Sequence, residues 1–331
     1  MSFNQTLFTR SVSFYHSNFH SSKLTTLPES FGNLVSLTTL DLGGNKLTSL
    51  PESFGGLVLL SSLDLRDNNL RGLPSSFGLM RSMKTLLMKG NPLTALPGSF
   101  GNMRLLPSLD LSYMSLRTLP SSFGSLSALS TLLIDHNRLT SLPESFGSLT
   151  KITSLNLAYN SLTSLPESFG SLTSLSSLYF DTKHKALKSL PGSFFNLNLK
   201  SLNLFNNQLS TLPPELGNMV SLSHLNVKNN CITSLPDSLG SLTSLSYLDV
   251  SNNRLTALPD VFSSLSSLSL SYLVFRHNSL SAIPESFKNL FVESGSDELY
   301  NKKKSVITFY GQLFFILEIF HIKTSRRSQP S

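Results

Sequence analysis

Apolar residues recur along this chain in a fixed order. From Leu37 the pattern reads Leu37-x-x-Leu40-x-Leu42-x-x-Asn45-x-Leu47-x-x-Leu50-Pro51-Glu52-Ser53-Phe54-Gly55-x-Leu57, and then it begins again. The alternation Leu40-x-Leu42 buries one side and exposes the other, which predicts a short strand. Pro51 is pre-set for the first position of a helical turn and Gly55 is suited to ending one, so Pro51 to Leu57 predicts a short helical or irregular return stroke. The register is held by proline anchors. Leu27-Pro28 to Leu165-Pro166 recur every 23 residues, and Leu190-Pro191, Leu212-Pro213, Leu235-Pro236, Leu258-Pro259 and Ile283-Pro284 follow at gaps of 25, 22, 23, 23 and 25. A period in this range marks a solenoid whose units bury their apolar faces only against their neighbours. Strands stacked at roughly 4.8 Å make one parallel sheet about 50–60 Å long on the inner face.

Two columns specify this fold. An asparagine follows the strand in nine units, at Asn45, Asn68, Asn91, Asn137, Asn160, Asn207, Asn230, Asn253 and Asn278. A buried amide there can bond the turn's backbone, which an apolar side chain cannot. A phenylalanine lies under the outer face from Phe31 to Phe194 and again at Phe262 and Phe287, with Leu216 and Leu239 in two units. Stacked rings predict a hydrophobic spine.

The pattern breaks in a few places. Met114 takes an asparagine slot, so one turn is expected to lose its amide bonds while keeping its packing. Two-residue insertions fall in Phe180–Leu187 and in Leu265–Leu270, as loop drift or as partner-specific bumps. Phe14, Phe19 and Leu24 hold the apolar positions of a degenerate first unit in which Ser17 and Ser22 replace a leucine and the asparagine. Three segments follow: a capping repeat over 1–23, repeats over 24–290, and a basic, partly apolar tail over 291–331. Val306–Ile322 is apolar but interrupted by Gln312, Glu318 and His321. It reads as a covering helix, as a membrane contact through residues 302–327, or as a loosely ordered tail.

The unit resembles a leucine-rich repeat of the 23-residue kind. Its LPxSFGxL run is similar to the plant intracellular Ras-group-related leucine-rich repeat proteins and their animal Ras-pathway scaffold relatives. The resemblance implies an α/β fold: a right-handed solenoid, or horseshoe, with a parallel β-sheet on the concave face and short helical or irregular turns on the convex face. It also implies a scaffold for intracellular signalling, with a Ras-type small GTPase as the first partner to test.

Charge changes little. Residues 301–331 carry six Lys/Arg against Glu318, and the remaining 300 residues carry 20 basic and 18 acidic side chains. The body is nearly neutral, which argues against a nucleic-acid stripe. Cys231 is the only cysteine, too few for disulfide-bonded end caps, and MSFNQTLFTRSVSFYHSNFH lacks the apolar core of a secretory signal. Both favour a cytoplasmic location, with peripheral membrane association as the alternative; a monomer is expected.

Catalytic chemistry finds little support. None of the seven histidines pairs with cysteines or carboxylates at metal-site spacing, and no phosphate-binding glycine loop is present, so no enzyme activity, cofactor or metal is expected. Asp135-His136 lies among many serines, but serine is so abundant that chance accounts for it. The variable strand positions are expected to face the concave surface and to be free of duties to the fold. Among them Arg66, Asp67, Lys89, Tyr113, Leu133, Asp135, His136, Tyr159, Tyr179 and Phe205 form the candidate protein-binding set, with the aromatics near mid-arc. The plain alternative is that exposed strands tolerate tyrosine well. Arg10-Ser11-Val12-Ser13-Phe14 matches the basic-x-Val-x-Phe pattern that docks on type-1 protein phosphatase as an added strand. Phe14 also fits a packed position of the capping repeat.

Overall fold

The computed structural model describes residues 15–180, 187–261 and 272–281, and the chain divides into two compact units, 1–199 and 200–331. In the first, β1 (His16–Asn18), β2 (Thr39–Asp41), β3 (Ser62–Asp64), β4 (Thr85–Leu87), β5 (Ser108–Asp110), β6 (Thr131–Leu133), β7 (Ser154–Asn156) and β8 (Ser177–Tyr179) run in chain order, each parallel to the next. In the second, β9 (Ser201–Asn203), β10 (His224–Asn226), β11 (Tyr247–Asp249) and β12 (Tyr272–Val274) do the same. The register is in step with the repeat: Leu40 lies opposite Leu63, and Leu225 opposite Leu248. In both units, then, the fold class is the expected α/β solenoid, a parallel sheet on one side and short helical turns on the other.

The return strokes are single 3-10 turns such as Glu52–Gly56 and Glu144–Ser148. Two details differ from the sequence expectation. Pro51 stands one residue ahead of the turn, extended at ψ 154°, and its carbonyl accepts from the Phe54 amide at 3.0 Å. Gly55 does not end the turn. A Cβ there would sit 2.3 Å from the Ser76 carbonyl oxygen of the next repeat, and one at Gly124 would sit 1.8 Å from that of Ser145. Glycine is therefore required by the close approach of neighbouring turns, not by a left-handed cap.

The phenylalanine spine is present. From Phe31 to Phe194 successive rings lie nearly parallel, 6.0 Å apart at Phe31–Phe54 and 6.1 Å at Phe146–Phe169, and each is fully buried. Burying one such ring contributes about 1.5–3 kcal/mol. The asparagine ladder is present too. Asn160 Oδ1 accepts the Leu139 amide at 3.0 Å, while its Nδ2 donates to the carbonyls of Ile134 and Leu157 at 2.9 and 3.1 Å. At Met114 that ladder lapses as expected: the thioether packs, 6% exposed, and no described residue accepts from the Leu93 amide. The same repeat contains Pro107, which has no N–H to give to the preceding strand entry. Around it β4 and β5 are in register only at Leu87–Asp110.

Serine abundance also has a structural cause. On the strand-entry edge Ser61 Oγ donates to the Thr38 carbonyl at 3.0 Å and Ser130 Oγ to that of Pro107 at 2.9 Å. On the helical-turn side Ser53 Oγ donates to the Glu29 carbonyl and Ser168 Oγ to the Glu144 carbonyl, both at 2.6 Å. These hydroxyls tie each repeat to the one before it.

At the start of the first unit β1 pairs with β2, and Ser17 lies opposite Leu40, the place where other strands carry leucine. The insertion at 181–186, the one at 265–270, the segment 10–14 and the tail 291–331 lie outside the described residues.

Candidate binding surface

The ten candidate residues do not share the strand face. Leu133 ends β6 and Tyr179 ends β8, and only these two of the first unit's candidates belong to strands. The position three residues after each of these strand ends bends into the left-handed region: Asp67 at φ 52°, Tyr113 at 57°, His136 at 54° and Tyr159 at 53°. Gly44 and Gly90 occupy the same place in their repeats at 65° and 79°. The column expected on the concave face is thus a row of turn residues along one edge of the sheet. Each strand is a residue or two shorter than the alternation suggests, and the chain must reverse there.

The strand-end column is not free of duties either. Asp64 Oδ1 accepts the Arg66 amide at 2.9 Å, Asp110 Oδ1 accepts the Ser112 amide at 2.9 Å, and Asn156 Oδ1 accepts the Ala158 amide at 3.1 Å. The acid or amide closes a side-chain turn over the reversal. Leu87, Leu133 and Tyr179 have no group that can do so. The Asp/Asn preference in that column was the readable signal for this second ladder.

On the turn edge Tyr113, His136 and Tyr159 stack. The Tyr113 and His136 ring centres are 4.1 Å apart at 14°, and His136 and Tyr159 are 4.3 Å apart at 23°. Lys89 Nζ lies over the Tyr113 ring at 5.4 Å. Tyr113 is 57% exposed and Tyr159 41%. Beneath the stack Asp135 is buried, which removes it from the contact set and gives it a positioning task. One oxygen accepts from Ser112 Oγ and Asn156 Nδ2 at 2.9 and 3.0 Å, and the other meets His136 Nδ1 at 2.7 Å. Ser112 thus bonds the carboxylate and not the imidazole, so Asp135, His136 and Ser112 are not ordered as a nucleophilic triad.

Arg66 is engaged with Asp64 at 2.5 Å. Burial works against the Asp64 charge, but the hydrogen bonds and charge of Arg66 outweigh it and hold the carboxyl below its ordinary value. Asp67 reaches toward Gly90, where a Cβ would meet its Oδ1 at 2.3 Å. Phe205 belongs to the second unit, under Lys228 at 6.0 Å. Sequence reasoning missed Arg117 and Arg138, which with Thr118 and Met114 line an open groove of about 1150 Å³ beside the stack. Among the described residues no cluster of metal-ligating side chains occurs, and no helix is long and apolar enough to cross a membrane.

The leucine-rich repeat region family matches residues 26–115 and 98–190, and further leucine-rich repeat families match 197–255 and 269–290. The chain belongs to the leucine-rich repeat proteins. No curated protein matches it. Among solved structures, a Leptospira interrogans leucine-rich repeat protein is 28% identical with a TM-score of 0.57, covering 81% of this chain and 79% of its own. The structure of PEPR1–AtPEP1 is 28% identical at a TM-score of 0.65, covering 82% of this chain and 43% of that one. The plant peptide hormone receptor RGFR1 in complex with RGF2 is 30% identical at 0.60, covering 80% and 47%. This chain spans less than half the length of those two. Leucine-rich repeat families are interaction modules, and the fold is that of a protein-binding scaffold.

Proposed function

We propose that this leucine-rich repeat protein is a non-catalytic, cytoplasmic signalling scaffold that holds a protein partner on the turn edge of its first unit. The observation that carries the reading is the Tyr113–His136–Tyr159 stack. Two tyrosines occupy left-handed turns, a conformation that costs an L-residue roughly 1–2 kcal/mol and is served elsewhere in the column by glycine, aspartate, asparagine or histidine. Strain of this kind persists where a site uses it. Exposed tyrosines beside arginines also have the composition of interface hot spots. The receptor complexes among the similar structures are consistent with recognition of polypeptide ligands.

A Ras-type small GTPase is the first candidate partner, on the likeness of the repeat unit. A type-1 phosphatase complex is the second, through Arg10, Val12 and Phe14. The repeats act as a monomer, with 1–23 and 291–331 as end pieces. Affinity purification with the full chain, followed by titration of the recovered partner, tests the reading. Tyr159→Ala with His136→Ala is expected to weaken binding by about 2 kcal/mol or more while the melting curve is kept. An equal loss from Leu59→Ala, on the helical-turn side, moves the site off this edge.

A further inference from the structure

The groove beside the stack carries positive charge that no described residue neutralises. Arg117 and Arg138 both line it, and both are exposed. They are neighbours across a repeat boundary, because the Arg138 amide donates to the Leu116 carbonyl at 2.8 Å. The Arg117 amide in turn donates to the Thr94 carbonyl, and the Thr94 amide to that of Arg71, which sets a third arginine two repeats back along the same edge. Among the described residues none of the three is in an ion pair. No Asp or Glu lines the groove. Asp135, close by in sequence, is buried and committed to Ser112, Asn156 and His136. The acid of the turn column, Asp67, stands two repeats before Tyr113. Unpaired guanidiniums beside aromatic rings call for planar anionic groups, which arginine holds through paired hydrogen bonds.

The rings themselves choose between carboxylates and nucleic-acid bases. A base-binding platform offers open ring faces. Here His136 has a tyrosine on each face, and Tyr113 is shared between His136 and Lys89. What these two rings leave open is their edges, the positive part of the aromatic quadrupole, which favours anions and not stacked bases.

We infer that the groove takes an acidic, extended segment of a partner protein, whose carboxylates pair with Arg117 and Arg138 beside the ring edges of the Tyr113–His136–Tyr159 stack. This rests on the turn edge being the binding site and adds the chemistry of what binds there.

Fluorescence anisotropy with the full chain tests it, using a labelled copolymer of glutamate and tyrosine, a copolymer of lysine and tyrosine, and oligo-dT. The glutamate–tyrosine copolymer is expected to bind, to weaken with added salt, and to lose about tenfold in affinity for each of Arg117→Gln and Arg138→Gln. Both arginines are exposed, so the variants keep the fold, as circular dichroism checks. Unchanged affinity in these variants, or equal binding of the lysine–tyrosine copolymer, overturns the inference. Tighter binding of oligo-dT overturns it in favour of nucleic acid. If no copolymer binds, yet the natural partner still weakens with Tyr159→Ala/His136→Ala, the acidic ligand is wrong and the turn-edge site stands. If that double variant leaves the partner unaffected, the site itself is wrong.

Discussion

From β2 to β8 in the first unit every strand opens on serine or threonine, and Tyr113, His136 and Tyr159 sit on the turn edge, with Tyr179 at the end of β8. In the second unit the left-handed turns carry Asn206, Asn229, Asn252 and His277, while His224, Tyr247 and Tyr272 open strands β10 to β12. The two units place similar side chains on different parts of the same repeat, and the backbone gives these choices unequal meaning. Aromatics suit an extended strand, and asparagine is among the few side chains that enter the left-handed region readily. The second unit is therefore what the backbone prefers by itself. The first unit spends conformational energy to hold its tyrosines. Its rings are also closer, 4.1 and 4.3 Å apart against 6.0 and 6.1 Å along His224–Tyr247–Tyr272. That difference is why the functional reading rests on the turn edge and not on the equally aromatic strand face.

The amide ladder beneath both edges is the same. Asn230 accepts the Leu209 amide at 3.0 Å and donates to the Leu204 carbonyl at 2.9 Å, matching Asn160 in the first unit. Asn160→Ala and Asn230→Ala are each expected to cost about 1–3 kcal/mol in urea unfolding, by stranding buried backbone groups. Clearly unequal losses would mean that the units differ in their scaffold as well as in their surface side chains.

A smaller effect isolates the strain. With the stack removed by His136→Asn, the further change Tyr113→Asn is expected to raise stability by about 1 kcal/mol, because the turn no longer forces a bulky side chain into the left-handed region. The reverse swap, Asn229→Tyr, is expected to lower it, losing also the 2.7 Å bond to Asn206. No gain in the first case sinks the strain argument.

The smallest expected effect lies on the strand face of the second unit. Burial pushes the Tyr247 hydroxyl above its ordinary value, and the charge of Asp249 and its hydrogen bond add to this. The folded chain thus favours the neutral phenol. The stability this gives is complete below the ordinary tyrosine range and is lost as pH rises through the elevated value. Ultraviolet titration of the parent against Tyr247→Phe should show one late-ionising tyrosine, and Asp249→Asn should bring it down. Ionisation of Tyr247 together with the exposed tyrosines would show this face to be more open than its packing indicates.

Much of this was readable from residue order alone. Each repeat packs against near copies of itself, so a position recurring every 23 residues meets its own kind, and Phe54, Asn68 or Leu63 reveals its environment by recurrence. The role of serine is not legible in the sequence, because it needs the neighbouring repeat's carbonyl, a group that residue type does not display. Glycine of the Phe-Gly pair was read as a terminator, since the sequence does not show that the next turn's backbone lies 2.3 Å from its missing Cβ. The site was legible as a set of residue types and illegible as a place. Periodicity locates a strand to within a residue or two, and that margin separates a side chain on the sheet from one on the left-handed turn beside it. Only the tertiary structure could bring Tyr113, His136 and Tyr159 into one stack, bury Asp135 beneath it, and set Arg117 and Arg138 beside it with no ion-pair partner among the described residues. Those outcomes depend on distances between repeats, which the order of residues along one repeat does not encode.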